Sequence, residues 1–127
     1  MSRTHAAKLT GMSPQFLVAN LDRSIEFYTG QLGFDLDFRY EHFYAGIVRD
    51  GHSIHLKLAA APGDEREFRR ENQHLDITFT VDDIHTVYND VRNKPVPVIQ
   101  PFREMPYGRE FYISDPDGYI LAFVETK

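Results

Sequence analysis

The chain has 127 residues, of which 42% are hydrophobic and 13% aromatic, so it can form one domain with its own core but not two independent domains. It contains no cysteine, which excludes disulfides, thiolate metal sites and a catalytic thiol. A formal net charge of −5 argues against binding to nucleic acid or to an anionic membrane. The sequence has neither the run of about 20 apolar residues that spans a membrane nor the apolar segment of a signal peptide, so we expect a cytoplasmic protein.

The first half of the chain predicts a strand, a helix and three further strands. Residues 15–19 form a β-prone run, and Asn20 can cap a helix after it. Residues 34–40 and 52–58 alternate apolar with polar side chains, as half-buried strands do, and residues 43–49 can pair with them. Apolar residues recur in the helix at i, i+4, i+7 and i+11, namely at Leu21, Ile25, Tyr28 and Leu32.

The second half repeats this pattern. Residues 74–81 predict a strand, and either Asp82 or Asp83 can cap a helix after it. A shift of the sequence by 63 residues superposes apolar positions of the two halves: Phe16 on Phe79, Val18 on Val81 and Leu21 on Ile84. Three prolines, Pro95, Pro97 and Pro101, confine the strand that follows to a sheet edge or to a short, bulged piece.

A hairpin is predicted near the C-terminus. Asp115-Pro116-Asp117-Gly118 suits a type I turn between β-prone residues 111–113 and 119–124. Each half therefore predicts a βαβββ module in which a helix packs on one face of a four-stranded sheet, and the fold class is α+β with two tandem modules. The modules are predicted at residues 12–60 and 74–127, with a charge-rich linker at residues 61–73.

In three motifs the chain resembles the vicinal oxygen chelate superfamily, which includes glyoxalase I, bleomycin-resistance proteins and extradiol dioxygenases. The motifs are VANLDRSIEFY from Val18 with Leu32-Gly33-Phe34 after it, Val81-Asp82-Asp83-Ile84, and the Asp-Pro-Asp-Gly turn. The resemblance implies a cleft lined by the sheets. In metal-dependent members it also implies one metal ligand on the first and one on the last strand of each module. By register, the four positions hold Ser13, His55, Asp76 and Ala122.

The residues at these positions decide between the metal-dependent and metal-free branches. Ala122 cannot bind a metal and serine rarely binds a transition metal, so two possible ligands remain, which do not make a tight site. The pattern is therefore closest to the metal-free, bleomycin-resistance-like branch, and we expect no cofactor. The alternative is a divalent metal (Zn, Ni, Fe or Mn) enclosed by Gln15, His55 and His74.

The predicted ligand-binding residues are Gln15, His55, Asp76, Tyr107 and Tyr112. Alternation turns His55 and Asp76 away from the apolar core positions of their strands, so we expect both in the cleft, close enough to interact. Tyr107 lies in a Pro- and Gly-rich loop, and relatives place a side chain in the cleft at the position of Tyr112. For each residue a purely structural role stays open: a hydrogen-bonded polar pair, cover for a sheet edge, or packing.

Three functions are compatible with the sequence. The first is a dimeric protein of the sequestration or resistance type that binds a small organic molecule, and the chain's acidity suits a cationic or amphipathic ligand. The alternative is a metal-dependent glyoxalase-type lyase, isomerase or dioxygenase with an altered ligand set. A third is an interaction module without a small ligand. We predict a homodimer because the alternating strands leave long edges and open faces that one chain does not cover.

Overall fold

The computed structural model describes residues 7–59 and 66–127 and contains two four-stranded sheets, one in each half of the chain. The first sheet has the strand order β1-β4-β3-β2, in which β1 is parallel to β4 and the other pairs are antiparallel. Its strands are β1 (Gln15–Val18), β2 (Asp35–Tyr40), β3 (Tyr44–Arg49) and β4 (His52–Leu58). Helix α1 (Leu21–Glu26) and a π-helical turn (Phe27–Gln31) connect β1 to β2.

The second half repeats this topology. Its strand order is β5-β8-β7-β6, with β5 parallel to β8. The strands are β5 (Ile77–Thr80), β6 (Val98–Met105), β7 (Gly108–Ser114) and β8 (Ile120–Thr126). Helix α2 (Arg66–Glu71) precedes β5, and α3 (Ile84–Arg92) follows it. The helices α1 and α3 begin 63 residues apart, so the sequence repeat is a structural repeat, and the α+β fold of two βαβββ modules is confirmed.

Both module helices begin at a capped residue. The Asn20 side chain accepts a hydrogen bond from the Arg23 amide at 3.0 Å, and the Asp83 side chain accepts one from the Thr86 amide at 3.2 Å. Each cap contributes roughly 1 kcal/mol to stability. Asp83 rather than Asp82 is thus the cap of α3, a choice that the sequence left open. The predicted α-helix through Leu32 instead widens into the π-helical turn, which places two consecutive rings, Phe27 and Tyr28, in the core.

The core lies between each sheet and its helix. Alternate strand residues such as Ile54 and Leu56 in the first module, and Phe111 and Ile113 in the second, are at most 1% exposed. These residues belong to one hydrophobic cluster that runs through both modules, which agrees with the alternation in the sequence. In the described ranges, no helix is long and apolar enough to cross a membrane.

The start of the second module differs from its prediction. The strand predicted at residues 74–81 is shorter and covers Ile77–Thr80. Helix α2 occupies the second part of the predicted linker, and several residues separate its end from β5. The His74 amide donates to the Arg69 carbonyl at 2.9 Å, so this backbone closes the end of the helix and joins no sheet. Of the linker at residues 61–73, residues 61–65 lie outside the described part of the chain.

The Asp-Pro-Asp-Gly turn joins the two modules. As predicted, it reverses the chain between β7 and β8: the Gly118 amide donates to the Asp115 carbonyl at 3.0 Å, and Gly118 has a φ of 88° that suits glycine. Asp115 also accepts a hydrogen bond of 2.7 Å from the Tyr28 hydroxyl, and Asp117 accepts one of 2.9 Å from the Ala19 amide. The turn of the second module therefore docks on the start of the first.

Tyr119, directly after the turn, adds a contact with the edge of the first sheet. Its ring stacks on Phe16 with a centroid distance of 4.3 Å. The guanidinium of Arg69, a residue of α2, lies 4.8 Å from the centroid of the Tyr119 ring. Its hydroxyl accepts from the Leu17 amide at 3.0 Å and donates to the Leu17 carbonyl at 2.9 Å. These contacts fix the relative position of the modules and of the sheet faces described next.

Candidate functional site

The side of each sheet that faces away from the helices is called its open face here. On the open face of the first module, Gln15 and His55 are direct neighbours in the pairing of β1 with β4. Tyr44 of β3 lies beside both: its hydroxyl donates to Gln15 Oε1 at 3.1 Å and lies 3.0 Å from His55 Nδ1. The structure thus brings together two predicted site residues through a tyrosine that the sequence analysis did not single out.

Aromatic rings extend this group across β2. The Phe38 ring stacks on Tyr44 with a centroid distance of 6.2 Å and meets His55 edge-on at 5.2 Å. Tyr40 lies 5.5 Å from Phe38 and is 62% exposed. We call Phe38, Tyr40, Tyr44 and His55 the ring cluster. The position of the Phe38 ring in this cluster depends on Gly46, its pairing partner, because a Cβ at Gly46 would overlap the phenylalanine ring.

On the open face of the second module, a carboxylate rather than a ring is central. Glu110 is 2% exposed and accepts hydrogen bonds from Arg103 Nε at 2.8 Å, from the Tyr112 hydroxyl at 2.9 Å and from the Tyr107 hydroxyl. Arg103 Nη2 lies 2.6 Å from the same carboxylate and also donates to the Tyr112 oxygen at 3.3 Å. We call these four residues the Glu110 network.

Protonation in this network follows from its contacts. Burial alone would raise the pKa of Glu110, but hydrogen bonds from Tyr107, Arg103 and Tyr112 together hold that pKa below its usual value. The hydrogen bond to Glu110 raises the pKa of Tyr107 to about 12. Burial, and then the hydrogen bond to Glu110, raise the pKa of Tyr112. At neutral pH the network therefore contains an ionised carboxylate, a guanidinium and two protonated phenols.

Two predicted site residues, Tyr112 and Asp76, already make contacts within the chain. Tyr112 is 6% exposed and pairs with Ala122, so most of its ring is packed. Asp76 accepts a hydrogen bond from the Ile120 amide at 2.8 Å and lies within 4 Å of Arg69 and His74. Among the hydrogen bonds and ion pairs of the described residues, none joins Asp76 to His55, so the expected pair is not formed within this chain. Tyr107, by contrast, is 48% exposed.

Cavities occur elsewhere, at the junction between the modules. Two adjoining cavities of about 340 and 400 Å³ share four lining residues, which are Phe34, His52, Phe79 and Thr80. None of the predicted site residues lines either cavity. Because the convergent polar and aromatic groups are on the open faces, we place the candidate site there rather than in the junction.

Comparison with known proteins agrees with this architecture. Residues 6–123 match the family model of the Glyoxalase/Bleomycin resistance protein/Dioxygenase superfamily. The chain belongs to this superfamily. Similar sequences include a lactoylglutathione lyase from Neisseria meningitidis serogroup B, 27% identical over 87% of this chain and 86% of that protein. A probable lactoylglutathione lyase from Synechocystis is 25% identical over 87% of this chain and 90% of that protein.

Solved structures of other proteins share the fold. The bleomycin-binding protein from Streptomyces verticillus, complexed with copper(II)-bleomycin, has a TM-score of 0.73 at 20% identity and covers 95% of this chain and 99% of its own. TnmS3, an antibiotic-binding protein from Streptomyces sp. CB03234, has a TM-score of 0.72 at 20% identity, with coverages of 97% and 100%. At these identities the likeness establishes the fold alone.

The sequence analysis considered Ser13, His55, Asp76 and Ala122 as the four metal-ligand positions. The position on β8 is Ala122, fully buried, and the position before β1 is Ser13, which is hydrogen-bonded to Ser53. Within residues 7–59 and 66–127, no three His, Cys, Asp or Glu side chains are grouped as metal ligands would be. The alternative ligands Gln15 and His55 are neighbours, but His74 belongs to the other module and contacts Asp76.

The sequence analysis missed several residues of the site. Glu110 could have been recognised, because it lies two residues before Tyr112 in a strand and therefore shares its face. Phe38 and Tyr44 carried the same alternation signal in their own strands. No sequence signal pointed to Gly46 or Arg103, since their roles depend on which residues face them across a bulged pair of strands.

Proposed function

We propose that the protein binds a small organic molecule on the open faces of its sheets, without a metal, as a sequestration- or resistance-type member of its superfamily. The observation that carries this proposal is the ring cluster beside Gln15. It combines an exposed aromatic surface with amide and imidazole groups that can orient a ligand. A further support is that similar folds include proteins described as binding bleomycin and an antibiotic.

A homodimer is part of this proposal. Each chain has two open faces, and a ligand between two faces would be better shielded from water than a ligand on one face. Joining the first module of one chain to the second module of its partner would create two equivalent sites, as two-fold symmetry requires. We expect light scattering to give twice the mass of one chain at micromolar concentration. A stable monomer of unchanged mass at that concentration would contradict the dimer.

Binding can be tested with bleomycin as a probe. Isothermal titration of the wild-type chain with metal-free bleomycin should show saturable binding. Phe38→Ala and His55→Ala should each weaken it by about tenfold or more, because each removes a contact group of the ring cluster. Phe68→Ala is a matched control, since Phe68 is a 65% exposed ring on α2. Binding that is as tight in Phe38→Ala and in His55→Ala as in the wild type would place the ligand outside the ring cluster.

The second candidate function is that of a glyoxalase-type lyase, which is favoured by the names of the similar sequences. It requires a bound divalent metal in an altered ligand set. Elemental analysis of protein purified without chelators separates the two functions. We expect far less than one zinc, nickel, iron or manganese per chain and no turnover of lactoylglutathione. Near-stoichiometric metal together with turnover would favour the lyase.

A further inference from the structure

The Glu110 network determines which hydrogen-bonding groups the open face of the second module offers to a ligand. A carboxylate has no proton to donate, and all four of its recorded contacts are with donors: two guanidinium nitrogens and two phenol hydroxyls. Each phenol has a single proton. Tyr107 and Tyr112 must therefore both point their O–H bonds at Glu110.

This orientation leaves Tyr107 as a hydrogen-bond acceptor. With its proton committed to Glu110, its oxygen has free lone pairs and nothing to donate. Tyr107 is 48% exposed, whereas Tyr112 is 6% exposed and its oxygen already accepts from Arg103. A hydrogen bond to a carboxylate polarises the phenol, so its oxygen accepts more strongly from a third group. Tyr107 is thus the outward-facing end of the network.

The Glu110 network also argues against recognition of a ligand through its net charge. Glu110 is paired with Arg103 through two guanidinium nitrogens, at 2.8 and 2.6 Å, so the two charges compensate each other locally. A cationic ligand would meet this compensated pair, not a free carboxylate. The overall acidity of the chain is therefore a poor guide to the ligand at this face.

We propose that Tyr107, held by Glu110, is a specificity-determining acceptor for an uncharged ligand group with an N–H or O–H donor, such as a carboxamide. This inference rests on the proposed function, because it names the chemical class of the same ligand. Glu110 is a positioning residue that acts through Tyr107. A ligand N–H donates to the Tyr107 oxygen, and the Tyr107 hydroxyl donates to Glu110.

Two probes of similar shape test the inference. Benzamide carries N–H donors, and N,N-dimethylbenzamide carries none. Titrations followed by two-dimensional NMR of the backbone amides should show benzamide binding about fivefold more tightly, the ratio of one net hydrogen bond. Its shifts should be concentrated at residues 107–110. Equal affinities for the two probes in the wild-type chain would overturn the inference.

Substitutions then separate acceptor from positioning residue. Tyr107→Phe keeps the ring and removes the oxygen, so the preference for benzamide should fall to about one. In Glu110→Gln the amide oxygen is needed at the position that accepts from Arg103 and Tyr112, so the amide nitrogen faces Tyr107 and frees its hydroxyl to donate outward. It should reduce or reverse the preference while the ring stays in place. A preference retained in Tyr107→Phe would overturn the inference.

Glu125→Gln is the matched control. Glu125 also pairs with an arginine, Arg109, at 2.6 Å, and it accepts from the Ile84 amide but from no tyrosine among the described residues. The preference for benzamide should therefore be unchanged in this variant. If Glu125→Gln lost the preference as Glu110→Gln does, the effect would be general destabilisation and the inference would be wrong.

The titrations also distinguish this inference from the proposed function. Both probes binding equally, with shifts at the ring cluster, would count against the acceptor role of Tyr107 and leave small-molecule binding intact. An absence of shifts at both open faces with either probe, and no binding of bleomycin, would overturn the proposed function and the acceptor role together.

Discussion

The two modules share one topology but differ in what they bury. The buried polar side chains of the described chain are Ser24 in the first module and Glu110, Ser114, Asp115 and Asp117 in the second. The first module instead exposes its aromatic rings on the open face. Apolar alternation and helix caps specify the shared fold, so the polar residues can differ between the modules. In the second module they contact the first module and orient two phenols. In the first module they lie beside a surface of aromatic rings.

The comparison predicts that stability depends most on the carboxylates of the second module. Asp115→Ala leaves three donors without their acceptor: the Tyr28 hydroxyl and the amides of Asp117 and Tyr119. Because Tyr28 is fully buried, we expect a loss of about 3–5 kcal/mol in the free energy of unfolding. The melting temperature should then fall by roughly 10 °C or more, as thermal unfolding followed by circular dichroism would show.

The control is a carboxylate of the same module on the surface. Asp90 is 62% exposed and pairs with Lys94 at 3.0 Å, one helical turn away. Asp90→Ala should cost about 0–1 kcal/mol. Equal losses for the two variants would mean that burial of the module junction does not set the stability.

The second prediction concerns the pH dependence of this junction. Burial raises the pKa of Asp115 from 3.8 to about 6, against the hydrogen bond from Tyr28. Between these values the unfolded chain releases a proton that the folded chain retains. Stability from Asp115 is therefore full below about pH 4 and is lost as pH rises to 6, by at most about 3 kcal/mol.

Urea unfolding of the wild type and of Asp115→Asn from pH 4 to 7.5 measures this contribution. The difference in unfolding free energy should fall between pH 4 and 6 and then remain constant. Glu110, whose pKa is lowered, contributes in the opposite direction, but both chains contain it and the subtraction removes it. A difference that does not change with pH would show that Asp115 titrates normally in the folded chain.

The third prediction concerns the first module, where the expected loss of stability is smaller than for Asp115→Ala. Gly46→Ala must displace the Phe38 ring, which is half-buried and can rotate toward solvent, so we expect a loss of about 1–2 kcal/mol. The near-ultraviolet circular dichroism of the aromatic rings should change clearly, and bleomycin binding should weaken several-fold. The ring surface would thus be lost while the fold remains.

Gly30→Ala is the paired control for that substitution. Gly30 lies in the π-helical turn, and an added Cβ there meets no atom of residues 7–59 and 66–127 within 4 Å. Stability should be unchanged or higher by up to about 1 kcal/mol, because alanine favours helical backbone. The aromatic signal should stay as in the wild type. The same loss of signal in both variants would remove Gly46 from the account of the ring cluster.

The sequence predicts most of the fold and part of the site, and the division has a physical reason. Alternation placed Gln15 and His55 on one face, because side-chain direction in a strand is a local property. The contact of Tyr112 with Arg103 joins β7 to a β6 residue whose position follows two register shifts. The bond from Tyr28 to Asp115 joins residues 87 positions apart. Such contacts depend on the register and docking of elements, which local patterns do not contain.

The Tyr119 hydroxyl has a consequence for assembly. β1 is an edge strand, and an unpaired edge can add a strand from another chain. At Leu17, however, the phenol takes the place of that strand, because it accepts from the amide and donates to the carbonyl at 3.0 and 2.9 Å. The Tyr119 side chain thus blocks the backbone groups of Leu17 from pairing with a further strand at this edge. Addition of a strand along β1 would therefore first have to break both hydrogen bonds between Tyr119 and Leu17.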